Sequence, residues 1–404
     1  MKLCVAAAAP DIRANAPAES AVNLISVVQR AKADEASVLV LPQEAFLHAD
    51  ETVRQQIAEI AGSMKIYPLN KEALGPGALL SAPRQDVLCC SSGRAGTALS
   101  ALEGIIFAAT VSAEKKCTVA FAAPMGGSDA DLYDGFCVIA QNGEILESGT
   151  GYVCAEVDTT RTKTKKVPDH SLISGARNPW VPLPNVLTRA VDLQINGLVR
   201  YMTAHKQTRL FLTVDSSPAD LHALSVCARA MDALHLSHRN IGVITNGRAA
   251  ALTATELNMR PVSKPASGLV VSGASLTHIA LCGCPYDNNY YLNCNMPESV
   301  IRPALRAYAS TCGNRNLGAV LRDALDIPAG AEELDDFFLF YMQMKGYEPQ
   351  TLLKKAQEIF SSPYEPEEIE GRQKAFYRRF RTARLDWTRW PEGPLVYGLR
   401  LSEH

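Results

Sequence analysis

A chain of 404 residues is long enough for two domains, each with its own core. Forty lysines and arginines against 42 acidic residues leave a net charge of −2, which excludes a strongly basic nucleic-acid surface or a polybasic membrane patch. No apolar run approaches the roughly 20 residues of a membrane span, so neither nucleic acid nor membrane is expected as a partner.

The start, Lys2-Leu3-Cys4-Val5 running into alanines, has a faint signal-peptide character. Pro10 and Asp11 end that run early and a helical pattern follows, so Val5–Ala9 is read as a first buried strand. Ser20–Lys32 carries Val22, Ile25, Val28 and Gln29 at helical spacing, with Ala21 and Leu24 filling the same face. Val38–Leu41 is a β-branched run stopped by Pro42, and Val87–Cys90 is another short apolar run. A helix over Gly104–Ala113 and a strand over Thr118–Ala122 follow. In Tyr133–Leu146 two apolar runs flank Asn142-Gly143, a dipeptide that favours a tight hairpin turn. After a strand at Val153–Val157, Lys163, Lys165 and Lys166 mark a solvated linker.

The second half opens with a long helix over Asn185–His205. Strands at Phe211–Val214, Ile241–Thr245 and Leu269–Val271 alternate with helical stretches such as Leu221–Leu236, the pattern of a doubly wound parallel sheet. Asp335–Lys345, Pro349–Phe360 and the basic, aromatic-rich Glu367–Ala383 read as helices. The 11 cysteines lack zinc or disulfide-scaffold spacing, and Cys89-Cys90 and Cys282-Gly283-Cys284 are too close for standard metal pairs. Reduced thiols in a cytoplasm are the simplest account.

Four stretches carry a resemblance to a known family. They are the hairpin Leu132–Leu146 with Ala155-Glu156-Val157-Asp158; Leu210–Leu236; Gly268–Asn289 with Val300–Ala309, including Tyr286 and Asn295; and Phe337–Gly346 with Phe376-Tyr377-Arg378-Arg379-Phe380 and Pro391-Glu392-Gly393-Pro394. The chain resembles glutamine-dependent NAD synthetases, which are longer. The resemblance implies an α/β protein with a shortened nitrilase-like amidase domain over 1–175, a linker over 176–184, and a doubly wound, Rossmann-like ATP-pyrophosphatase domain with a helical tail over 185–404.

The departures from the family pattern fall on its catalytic positions. Nitrilase-type amidases use a Glu–Lys–Cys set, with thiolate attack, proton transfer by Glu and oxyanion stabilisation by Lys. Gln43 stands where the Glu is expected, and an amide does not accept a proton at neutral pH. Glu44 is one position late, which in extended chain turns its side chain to the other face. Val53–Pro83 contains Lys65 and Lys71 but no cysteine. Cys89 and Cys90 match the strand after the nucleophile's and read as buried core thiols.

In the second domain the family's phosphate loop, Ser-Gly-Gly-x-Asp-Ser, aligns with Asp215, Ser216, Ser217, Pro218, Ala219 and Asp220. Both glycines are serines, Pro218 lacks an N–H, and the magnesium-binding Asp is Ala219. Asp215 puts a negative charge where phosphate would sit, a repulsion of roughly 4 kcal/mol at ~4 Å and an effective dielectric of ~20. Asp220 reads as an acidic residue of the helix's first turn, with metal binding as its sharper alternative. Ser275 and His278 occupy the acidic positions of a second family motif. The loops between Thr245 and Gly268 are shortened. The family's late Lys-Arg-Ser aligns with Asp386-Trp387-Thr388, and Arg378-Arg379 read as contacts to neighbouring carboxylates or subunits.

The expectation is therefore a catalytically inactive NAD-synthetase-like protein with an assembly or regulatory role. It would be a homo-oligomer or pair with an intact synthetase, and would need no cofactor. The alternative is a residual synthetase amidating deamido-NAD with Mg-ATP.

Overall fold

Along the first strand, β1 (Lys2–Ala8), side chains part alternately into two cores. Val5 and Ala7 enter one with Val38, Val40, Cys89 and Ile139. Ala6 and Ala8 enter another with Leu24, Val28 and Leu39. A strand buried on both faces reads as a continuous apolar run, which is why the alanine stretch resembles a signal sequence. The computed structural model describes residues 2–13, 16–46, 49–67, 78–80, 87–91, 96–127, 132–158, 177–181, 184–284, 290–326, 332–362, 364–383 and 391–399. By its internal contacts the chain divides into two units, Met1–His170 and Ser171–His404. The linker lysines Lys163, Lys165 and Lys166, and also Tyr286 and Asp386-Trp387-Thr388, lie outside the described residues.

The first unit continues with β2 (Asp11–Arg13), α1 (Pro17–Ala33), β3 (Val38–Val40), a 3₁₀ turn at Gln43–Phe46, α2 (Glu51–Ala61) and β4 (Lys65–Tyr67). Then come β5 (Ala78–Leu80), β6 (Val87–Ser91), α3 (Ser100–Lys115), β7 (Thr118–Ala122), β8 (Met125–Gly127) and β9 (Leu132–Asp134). It closes with β10 (Phe136–Gln141), β11 (Glu144–Thr150) and β12 (Tyr152–Asp158). One sheet runs β12-β1-β3-β4 and a second runs β11-β10-β7-β6-β5, with a small β2-β8-β9 sheet beside them. The two main sheets share the core of Val5, Val38 and Ile139. Helices α1 and α2 cover the outer face of the first sheet through Leu24, Val28 and Ile57. Helix α3 covers the outer face of the second through Ala101 and Ala108. This is an α/β/β/α sandwich.

The hairpin forms as its turn residues require. Asn142 and Gly143 have φ of 49° and 86°, both left-handed, as a type I′ turn demands. The buried face of α1 differs from the sequence reading. Ser20, Leu24, Val28 and Ala31 point inward, and Val22 is 65% exposed. Leu24 and Val28 form the ridge that meets the sheet, and Val22 lies about 160° around the helix from Leu24.

The second unit begins with α4 (Pro184–Ala204), β13 (Leu210–Val214), α5 (Pro218–Ala233) and β14 (Ile241–Thr245). Helix α6 (Arg248–Glu256) and β15 (Arg260–Pro261) occupy the stretch read from sequence as shortened loops. After them come β16 (Leu269–Ser272), α7 (Leu276–Cys282), β17 (Tyr290–Tyr291), α8 (Glu298–Thr311) and α9 (Arg315–Leu325). The sequence reading passed over α9, which buries Leu317, Leu321 and Leu325. The tail holds α10 (Glu332–Lys345), α11 (Pro349–Ile359) and α12 (Pro366–Thr382). All strands of the order β15-β14-β13-β16-β17 pair in parallel. The chain winds outward from β13 in one direction and then, from β16, in the other. The carboxyl ends of β13 and β16 are therefore the switch point at which such sheets form a crevice. Among the described residues, no helix is long and apolar enough to cross a membrane.

A buried amide helps to hold the segment 397–399 to this unit. Asn295 Oδ1 accepts from the Tyr397 and Leu399 amides at 2.8 and 3.3 Å, and Asn295 Nδ2 donates to the Leu399 carbonyl. Replacing Asn295 with Ala leaves buried backbone groups unpaired. The expected loss is about 2–4 kcal/mol of stability in urea unfolding, and a change below about 0.5 kcal/mol would refute the role given to this side chain.

Candidate functional site

The crevice at the ends of β13 and β16 holds most of the residues singled out in the second half of the sequence. Strand β13 ends at Val214, and the chain turns through Asp215-Ser216-Ser217 into α5. Ser217 is extended (φ −67°, ψ 147°) and caps the helix, its hydroxyl accepting from the Asp220 amide at 3.3 Å. Asp215 Oδ1 accepts from the Ser217 amide at 2.6 Å. Asp220 Oδ2 reaches back to accept from the Asp215 amide at 2.8 Å. Pro218 follows the cap and has no N–H to give.

A loop of this kind binds phosphate by pointing free amides at the anion from a helix N-terminus. Here the amides of Asp215, Ser217 and Asp220 all donate to the chain's own side chains, two of them carboxylates. These three donors are satisfied from within the loop.

The electrostatics follow from the same contacts. Burial pushes the Asp220 carboxyl up to about 7; the Asp215 amide opposes this and the Asp215 charge adds to it. Burial also works against ionisation of Asp215, but the Ser217 amide and hydroxyl and the Asp220 carboxyl outweigh it. With a smaller pull from His278, they hold Asp215 below its ordinary value. The exposed Asp215 thus keeps a negative charge at the mouth of the crevice, while its neighbour carries a proton for part of the time at neutral pH.

Two further contacts close the loops after β13 and β16 on each other, and a third ties the first of them to the start of α6. Gly273, just after β16, lies so near Asp220 that a Cβ there would collide with Asp220 Oδ1. Asn293 Nδ2 donates to the Ala219 carbonyl at 2.9 Å and to the Gly273 carbonyl at 2.8 Å. Ser216 Oγ accepts from the Ala250 amide at 3.4 Å, and Gly247 approaches it so closely that any side chain there would overlap it. Ser275 caps α7, accepting from the His278 amide at 3.1 Å, and His278 itself is exposed. Among the described residues, no group of three His, Cys, Asp or Glu side chains is placed to hold a metal.

Sequence reasoning missed the support behind this loop. Gln194 on α4 donates from Nε2 to Asn293 Oδ1 at 2.7 Å and to the Leu292 carbonyl at 3.0 Å. Its Oε1 lies 2.8 Å from His222 Nε2 on α5. Burial drives His222 down to about 3, so the ring is neutral and its Nε2–H donates to Gln194. The chain His222–Gln194–Asn293 thereby ties two helices to both crevice loops. His222 and Gln194 sit among apolar residues at helical spacing, and the one available signal was a polar residue on each inward face.

In the first unit the amidase positions are not assembled among the described residues. The shift that was to turn Glu44 away assumed extended chain, but Gln43–Phe46 is a 3₁₀ turn, so that alternation does not apply. Glu44 Oε2 is buried without a hydrogen-bond partner. The Gln43 side chain and Lys71 lie outside the described residues, and Lys65 is exposed on β4. Cys89 and Cys90 are buried on opposite faces of β6, one in the core between the sheets and the other under α3. Burial pushes their thiols up to about 12 and about 11, which keeps them protonated and poor nucleophiles.

No protein-family model matches the sequence, and no curated protein matches it. Solved structures do. A glutamine-dependent NAD(+) synthetase from Cytophaga hutchinsonii aligns over 98% of this chain and 94% of its own, with a TM-score of 0.64 and 11% identity. A glutamine-dependent NAD+ synthetase from Acinetobacter baumannii, solved in complex with ADP, aligns over 100% of both chains with a TM-score of 0.56 and 10% identity. Over its length, the chain therefore has the fold of these synthetases.

The Asp220 carboxyl yields a pH signature. Its folded value of about 7 lies above the ordinary 3.8, so its contribution is present below about 4 and is lost as pH rises through 7. Asp220→Asn keeps an acceptor for the Asp215 amide and cannot ionise. The variant should gain about 2 kcal/mol over the parent between pH 5 and pH 8, read from thermal unfolding at both values. A difference that stays constant with pH would count against a buried, titrating Asp220.

Proposed function

We propose that this chain is an NAD-synthetase-like protein that no longer performs the synthetase reaction and serves as a folded subunit in an assembly. One observation carries the reading: three amides of the loop that aligns with the family's phosphate loop, those of Asp215, Ser217 and Asp220, are held by side chains of the same loop. A triphosphate would have to displace two carboxylates and break three hydrogen bonds, and would then face the charge of Asp215. Ala219 adds nothing toward magnesium. The high thiol values of Cys89 and Cys90 support the same conclusion for the amidase half.

The test is calorimetric titration of the full chain with Mg-ATP and with deamido-NAD, separately and together. No saturable heat is expected up to millimolar ligand. Turnover of deamido-NAD that requires Mg-ATP and ammonia and vanishes in Asp220→Ala would replace this reading with that of a residual synthetase.

The assembly role rests on a narrower base. The aromatic, arginine-bearing tail, a candidate surface for assembly, packs into its own unit. Ile369, Phe376 and Phe380 are buried, and Arg372 and Arg379 converge on Asp335 at 2.5 and 3.3 Å. Of the two arginines read as partners of carboxylates or subunits, Arg379 meets a carboxylate of its own unit and Arg378 is exposed. Trp387 and Trp390 lie outside the described residues. An assembly would then use other faces, with a second copy or an intact synthetase as partner. Light scattering at micromolar concentration should give a mass above one chain, alone or mixed with an active synthetase. A monomer in both conditions would refute the assembly role.

A further inference from the structure

Strands β1 and β12 pair antiparallel, with Cys4 opposite Glu156 and Ala6 opposite Cys154. Cys4 and Cys154 are therefore diagonal neighbours, and both border the core beneath α1 and α2. Their sulfurs are 3.0 Å apart. A disulfide bond is roughly 2.05 Å long, so the two sulfurs need to approach by only about 1 Å. Both residues are half-buried, which leaves them within reach of a small oxidant. The surroundings hold the pair in place. The Cys4 thiol lies 3.5 Å from the Asp34 carbonyl, the Tyr152 hydroxyl donates to Asp34 Oδ2 at 2.6 Å, and the Arg30 guanidinium sits 4.1 Å from the centre of the Tyr152 ring.

We propose that Cys4 and Cys154 are a modification site: with a small-molecule disulfide such as oxidised glutathione they form an intramolecular disulfide that staples the first strand of the unit to its last. One protein sulfur, as thiolate, attacks the small disulfide, forms a mixed disulfide and releases one small thiol. The second protein sulfur, having lost its proton, attacks the protein sulfur of that mixed disulfide and releases the second small thiol. Two protein S–H bonds are lost, one S–S bond forms, and the oxidant is reduced to two thiols. Burial, with the hydrogen bond to Cys154, pushes Cys4 up to about 12. Cys4 therefore rests as a thiol, which makes the exchange slow at neutral pH.

The bond would close a ring between positions 150 apart in sequence. Cross-links that close long rings stabilise most, because they restrict the unfolded chain. Among the described residues, strand β12 lies at the edge of its sheet and pairs with β1 alone, so the staple falls at an edge strand.

The experiment incubates the full chain with oxidised glutathione near pH 8, caps remaining thiols with an alkylating agent, and maps peptides by mass without reduction. The expected result is one linked peptide joining Cys4 to Cys154, with Tm raised by on the order of 5–10 °C and restored by dithiothreitol. Cys4→Ser and Cys154→Ser, made separately, should each abolish both the linked peptide and the shift. Cys282→Ser, at an exposed thiol, should abolish neither. Recovery of Cys4 and Cys154 as separate alkylated peptides, as stable glutathione adducts, or joined between two chains would each overturn the proposal.

Discussion

Three backbone amides at the start of the helix Pro218–Ala233 donate inward, to the side chains of Asp215, Ser217 and Asp220, and the second unit is arranged around that closure. A helix N-terminus carries unsatisfied donors and a partial positive charge, and something must meet both. Here an N-cap hydroxyl and two carboxylates do so. The Asp220 carboxylate needs a neighbour without a side chain, which Gly273 supplies. The carbonyls of Ala219 and Gly273 in turn need a donor, which Asn293 supplies. Asn293 is held by Gln194, and Gln194 by His222, so the loop's chemistry reaches the middle of the core through five residues.

Much of this architecture could be read in advance, for a physical reason. Strands buried on both faces must be apolar throughout, so Val38–Val40, Thr118–Ala122 and Ile241–Thr245 announced themselves. The left-handed turn at Asn142-Gly143 admits few residue types. What escaped was decided by tertiary context. Arg248–Glu256 is rich in alanine and threonine and has little apolar contrast between its faces, so nothing marked it as a helix. The inward face of α1 was misplaced because Val22 looks like a core residue, and only the position of the sheet shows that it is not.

The site divides in the same way. That Asp215, Ser216, Ser217 and Ala219 depart from a phosphate loop is visible in their side chains. Where the loop's amides go instead is not, because it depends on a carboxylate five positions along curling back over the turn. Glu44 shows the limit of local geometry: its placement was argued for extended chain, and the chain there makes a 3₁₀ turn. The polar relay through His222 left only a faint local signature, a single polar residue on the inward face of each of two helices.

The closeness of Gly273 to Asp220 bears on how this crevice can change over time. A glycine at 216, or an aspartate at 219, would leave the carboxylates of Asp215 and Asp220 still seated on the amides. Removing Asp220 alone would free one amide and leave a gap beside Gly273, with nothing yet gained in phosphate binding. No single one of these changes both frees the amides and gives them a new partner. The interlock therefore acts as a latch with several bolts: opening the loop to an anion takes several coordinated substitutions, and none of them alone is enough.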